Sequence, residues 1–255
     1  RDAAAIKVVA RMFGLEFNDL WRRYECYRRR RIEFFALIML LITAIAIDVR
    51  GHGLSTAGHG FFSIDLFAKD LHDFIQKLAL NNVVLCGVSM GGYIALRYYE
   101  LFPDKIIGLI LSDTHHLADD NKAKEKRFNS INAILTLGKR AFAFGFIENV
   151  LTNKTIAKNT KAVNRIKSSI RRNSISGICA TQLALASRTD SSSVLAKITV
   201  PTLLIRGEDD KITPKEVMLK LQEGIKDARF IEIPAAGHLP NLENVLAFNK
   251  EMNAF

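Results

Sequence analysis

From residue 42 to the C-terminus, short aliphatic runs alternate with stretches whose apolar positions recur every three or four residues. The runs ITAIAID (42–48), NVVLCG (82–87), KIIGLILSD (105–113), TLLIRG (202–207) and RFIEIP (229–234) read as strands, apolar enough to be buried on both faces. Between the first two, residues 63–80 place Ile64, Phe67, Leu71, Phe74, Ile75 and Leu78 on one helical stripe. Further helices are expected over 90–101, ending before Pro103, over 214–223, opening at Pro214, and over 241–253. This alternation predicts an α/β fold: a mostly parallel central sheet, helices on both faces, right-handed crossovers.

Residues 119–196 break the rhythm. They carry helical patches, no strand-like run and nearly all of the excess positive charge. The stretch reads as a helical cap inserted over one end of the sheet, with SRTDSSS (187–193) leading the chain back. The expected division is therefore a core of residues 1–118 and 197–255, and a cap of residues 119–196.

Composition changes this picture little. The 255 residues are 49% hydrophobic, enough for a sizeable core, and the formal charge of +10 reads as solvated surface lysine and arginine, with no nucleic-acid partner expected. Three cysteines without close pairs (Cys26, Cys86 and Cys179) fit a reducing, cytoplasmic setting and argue against a disulfide framework. No metal site is expected, since adjacent His115 and His116 point different ways. The start shows no signal-peptide pattern. Basic Arg28 to Arg31 precede an apolar run over 32–47, but that run carries Glu33 and is shorter than the roughly 20 residues of a spanning helix. It reads as a buried helix feeding a buried strand, with a membrane anchor as the less favoured alternative.

The chemistry concentrates at CGVSMGGYIALRYY (86–99), where Ser89 stands between a strand and a helix, flanked by Gly87 and Gly91. A sharp strand-to-helix turn lifts a hydroxyl clear of the backbone, and glycines two residues either side relieve the crowding. The helix start aims the Met90 amide at the same place, where it can stabilise an oxyanion. A serine of this kind needs a base and an orienting acid. His238 lies on a glycine-containing loop after the strand 229–234, and Asp209 or Asp210 follows the strand 202–207. Asp113, at the end of its own strand, is a rival acid. All fall at carboxyl ends of strands, the rim where open parallel sheets hold ligands. His52 shares that rim on a glycine turn, as a structural or pocket-lining residue. Phe142, Phe144 and Phe146 are candidates for an apolar pocket, and the basic residues of the cap for attracting an anionic acyl group.

The stretches DVRGHGLS, GVSMGGYIALRY, VPTLLIRGEDDKITP and IPAAGHLPNLENVLAFN together resemble the α/β-hydrolase superfamily, most of all its 3-oxoadipate enol-lactonase and carboxylesterase-type members. The likeness covers about residues 42–253, less clearly within the insertion. It implies Ser89 as nucleophile, His238 as base and Asp210, the last residue of a G-x-x-D turn, as acid. It further implies a cap over the pocket, no cofactor, and a second oxyanion amide from Leu15 or Phe13, in a region that departs from the usual strand ending in His-Gly. The expected activity is hydrolysis of a small-molecule ester or lactone through an acyl-enzyme. A weakly active or inactive binding protein on the same fold, and a C–C hydrolase or haloperoxidase-like member, are the alternatives.

Overall fold

The computed structural model describes residues 44–255. Leu15, Phe13 and most of the run 28–47 lie outside the described residues.

Among the described residues four parallel strands, β1 (Val83–Val88), β2 (Ile106–Ser112), β3 (Thr202–Gly207) and β4 (Ala228–Ile233), pair in the order β1-β2-β3-β4. β3 is buried along its whole length, so its apolar run needs no alternation. Successive residues instead divide between two cores. Leu109, Leu111 and Leu204 face one, built with α1 (Ile64–Lys77), α2 (Met90–Leu101) and the later helix α8 (Lys215–Gly224). Ile110, Leu203 and Ile205 face the other, with Phe248 of α10 (Val245–Ala254). Helices thus cover both faces, as the alternation predicts.

Local chemistry sets the ends of these helices. The Ser63 hydroxyl accepts from Leu66 N at 3.0 Å and starts α1. Ile64, Phe67, Ala68 and Ile75 of α1 are buried. The helix stops at Lys77, so Leu78, expected on the stripe, falls at the cap and is about half exposed. The last expected helix is broken as well. Asn244 separates α9 (Pro240–Glu243) from α10 and caps the latter by accepting from Ala247 N at 3.3 Å. An Asn side chain that bonds the backbone locally favours such a boundary over a helix interior.

One expected strand is corrected. Residues 44–48, the described part of 42–48, carry no ladder. An extended run becomes a strand only where a neighbour takes up its backbone groups, and no described strand does so.

Between β2 and β3 the chain forms only helices: α3 (Asn121–Val150), α4 (Asn153–Lys158), α5 (Thr160–Arg172), α6 (Ile175–Ala186) and the short α7 (Ser192–Leu195). Gly138, at φ 79° and ψ 174°, breaks α3 into two helical segments. The insertion has its own apolar core, centred on Ile134, Ile147, Leu151, Ile166 and Ile170. Residues 48–255 nevertheless form one compact unit, so the insertion packs onto the sheet domain.

Candidate active site

Ser89 follows β1 directly and precedes α2, with φ 52° and ψ −113°, a left-handed strain worth about 1–3 kcal/mol. Three contacts hold it there. Ser89 N donates to Ser112 O at 2.8 Å, the Thr114 hydroxyl donates to Ser89 O at 2.8 Å, and Gly92 N closes the turn onto Ser89 O at 2.9 Å. Gly87 is required by space: a Cβ there would lie 2.2 Å from the carbonyl carbon and oxygen of Gly91. Gly91 itself is not, because a Cβ on it meets nothing within 4 Å. The second crowded position is Gly92, whose Cβ would come 2.4 Å from Thr114 Cγ2. The G-x-S-x-G spacing therefore marks the turn correctly, but the tight downstream contact lies one residue later.

The imidazole of His238 reaches both neighbours, with Nε2 2.8 Å from Ser89 Oγ and Nδ1 2.9 Å from Asp210 Oδ2. Asp210 and His238 are buried, and the Asp210 Oδ1 accepts from Ile212 N at 2.8 Å. Burial pushes the Asp210 carboxyl up, but its hydrogen bond to His238, that ring's charge and the amides of Ile212 and Thr213 bring it below its ordinary value. Asp209 is exposed; only its amide is used, donating to Ala236 O at 2.8 Å. That bond and the close approach at Gly207, where a Cβ would lie 1.9 Å from Gly237 O, press the acid loop and the histidine loop together.

Asp113 lies beside this pair. One ligating atom each of Asp113, Asp210 and His238 falls within 4.8 Å of the others, a grouping that metals also use. Here the His238 and Asp210 atoms bond each other, while Asp113 Oδ1 accepts from Gly207 N at 2.8 Å and Oδ2 from the Ser112 hydroxyl at 2.6 Å. Asp113 thus meets the backbone of the acid loop, and the imidazole turns to Asp210. Burial, reinforced by Asp210, pushes the Asp113 carboxyl up to about 8 despite those two bonds.

Arg206 was hidden in the run TLLIRG. Its buried guanidinium donates from Nη2 to Asp210 O at 2.9 Å, from Nε to Thr213 O at 3.0 Å and from Nη1 to Glu208 O at 3.1 Å. A charged residue within an otherwise apolar strand was the available signal for an arginine that shapes the loop after it.

A cavity of about 490 Å³ opens above Ser89 and His238, between the strand rim and the insertion. Met90 lines it, and its amide donates to no acceptor among the described residues. His52 lines it too, with Nδ1 3.1 Å from Arg50 O and Nε2 3.3 Å from the Thr181 hydroxyl. Phe142 and Phe146 face the cavity with ring centroids 5.7 Å apart, and Val150 continues their row one turn on. Phe144, two residues from each, points to the opposite side of the helix, where Lys167 Nζ stands 4.9 Å above its half-exposed ring.

Arg127 and Arg165 supply the cavity's full positive charges, and no Asp or Glu lines it among the described residues. Arg127 shares Asp119 with buried Arg188, so one carboxylate serves two guanidiniums. Arg188 also lies 4.1 Å over the ring of Tyr93, whose hydroxyl is 3.2 Å from His115 Nε2. Burial first, and then the charge of Arg188, lowers the His115 pKa to about 4. This histidine belongs to the junction between sheet and insertion.

Comparison with known proteins agrees with this architecture. The chain is 27% identical over 216 residues to 3-oxoadipate enol-lactonase 2 of Acinetobacter baylyi, covering 82% of this chain and 77% of that protein. The solved structure of a thermophilic esterase from Thermogutta terrifontis matches with a TM-score of 0.77 and 31% identity, over 81% of this chain and 76% of that one. A bromoperoxidase from Bacillus anthracis shares the fold at a TM-score of 0.73 and 23% identity, over 81% and 79% of the two chains. The family model for the alpha/beta hydrolase fold matches residues 43–245, and the chain belongs to that family.

Proposed function

We propose that this protein is a serine hydrolase that cleaves a small carboxylic ester or lactone through an acyl-enzyme. The observation that carries the reading is the unbroken chain Ser89–His238–Asp210, bonded at 2.8 and 2.9 Å at the floor of a mostly apolar cavity. Ser89 Oγ attacks the carbonyl carbon as His238 Nε2 takes its proton. Asp210 holds the ring through Nδ1 and stabilises the imidazolium. The Met90 amide receives the oxyanion. Collapse expels the alcohol oxygen, which takes the proton back from Nε2. Water then repeats the cycle on the acyl-enzyme, releasing the carboxylic acid and free Ser89.

Residues 119–196 act in this reading as a cap that selects substrate. Phe142 and Phe146 receive the apolar part of the acyl group, and Arg127 and Arg165 favour a substrate that carries an anion.

The test is hydrolysis of short p-nitrophenyl esters, with fluorophosphonate labelling of the active serine. Wild type should turn over and label at Ser89, and Ser89→Ala should do neither. Equal rates for the two would refute the mechanism, and a folded wild type that never labels would favour a binding protein.

A further inference from the structure

Glu243 closes the short helix after His238, and its carboxylate is divided between two parts of the molecule. Oε1 accepts from Gly237 N at 2.7 Å, on the residue immediately before His238. Oε2 accepts from Thr152 N at 2.9 Å and from the Thr152 hydroxyl at 2.8 Å. Thr152 is the cap residue of α4, where the chain turns out of α3, and its hydroxyl also accepts from Thr155 N at 3.2 Å. The carboxylate sits so close to the histidine loop that a Cβ on Gly237 would come 2.9 Å from Oε1 and 3.2 Å from Val150 O. A second, longer tie runs alongside, from Asn159 Nδ2 to Leu242 O at 3.5 Å.

These contacts have a direction. Phe142, Phe146 and Val150 form one face of the helical segment that ends two residues before Thr152, and that face is a wall of the cavity. A charged acceptor with three donors is a stiff joint, because each bond is charge-assisted. The wall that would meet the acyl group and the loop that carries the imidazole are therefore pinned to the same side chain.

We propose that Glu243 is a positioning residue that locks the His238 loop to the α3–α4 turn of the insertion, so that pocket wall and base keep one fixed relation. The proposal rests on the hydrolase reading above. Glu243 touches neither Ser89 nor the cavity chemistry, and acts through the backbone of Gly237. Misplacing a reacting group by about 1 Å can cost on the order of 100-fold in rate.

The experiment measures the second-order rate constant for fluorophosphonate labelling of Ser89, with kcat and KM on p-nitrophenyl butyrate and the Tm of each variant. Glu243→Ala should slow labelling and kcat about tenfold or more while KM stays within about threefold. Glu243→Gln, whose amide cannot accept on both sides, should slow them less and decides the matter if the alanine variant does not fold. Thr152→Val, which removes the hydroxyl's bond but leaves those from the amides of Gly237 and residue 152 in place, should also slow labelling, to a smaller extent, and Thr152→Ser should restore it. A residue that served only stability would lower Tm and the fraction labelled but leave the rate constant unchanged. Rate constants of both Glu243 variants within twofold of wild type would overturn the proposal, as would slow Glu243 variants beside an unaffected Thr152→Val. A folded wild type that does not label refutes the hydrolase reading itself, and the positioning role with it.

Discussion

Ser89 and Phe146 face the same cavity but are held by different means. Ser89 is fixed by backbone: a strained turn, a glycine with no room for a methyl group, and hydrogen bonds from neighbouring strand ends. Phe146 is placed by helical spacing on a segment that begins after the break at Gly138, and it stays partly exposed. The rim tolerates little displacement, whereas the wall can be repacked. Chemistry should therefore be a property of the sheet edge, and substrate preference a property of the insertion.

The largest effects are expected at the rim. Asp210→Asn should lower kcat by roughly 10⁴-fold for every substrate, by leaving the imidazole in the wrong tautomer. Steady-state assays on a short and a long acyl ester check this, and an unequal loss would show that the rim also selects. Gly87→Ala forces a Cβ into the backbone of Gly91, and thermal melting should show a large drop in Tm or no soluble protein. Substitution in the wall should be milder and selective. Phe146→Ala should change kcat/KM for a long-chain ester about 10-fold and for an acetate ester hardly at all.

A smaller effect concerns the rim's second carboxyl. The Asp113 pKa is raised by burial to about 8, against about 3.9 in an unfolded chain. The folded state keeps its proton while the unfolded state loses it, so this group's contribution is fully favourable below about pH 4 and is lost as pH rises to about 8. Asp113→Asn should remove that loss, and its Tm relative to wild type should become more favourable from pH 4.5 to pH 8. A constant difference would show that Asp113 is ionised in the folded protein. Smallest of all, raising salt should reduce kcat/KM for a carboxylate-bearing ester more than for a neutral one, since Arg165 stands exposed at the cavity. No difference would remove the charge steering from the insertion's role.

Legibility followed the same divide. β3 and α2 have the bounds that their patterns predict, because a buried parallel strand and a helix between a tight turn and a proline are local facts. Ser89, Asp210 and His238 are expected to converge because each stands at a strand end, and the topology does bring these strand ends together. What the apolar pattern did not reveal depended on long polar side chains or on contacts far apart in the chain. Thr114 against Gly92, Arg206 curled over the acid loop and Arg188 shared with Asp119 all act through long side chains or distant segments. The apolar run at 44–48 failed as a described strand for the related reason that pairing needs a partner, which composition cannot supply.

The bond between Ser89 and His238 joins residues 149 positions apart, across a sheet whose strands lie in chain order. During synthesis the serine emerges long before its base, with the whole insertion still to come. A nascent chain that has completed β1 to β3 holds an ordinary, unreactive alcohol. In the proposed mechanism reactivity arrives only when β4 docks, so the serine stays an ordinary alcohol until the chain has been made at least as far as His238.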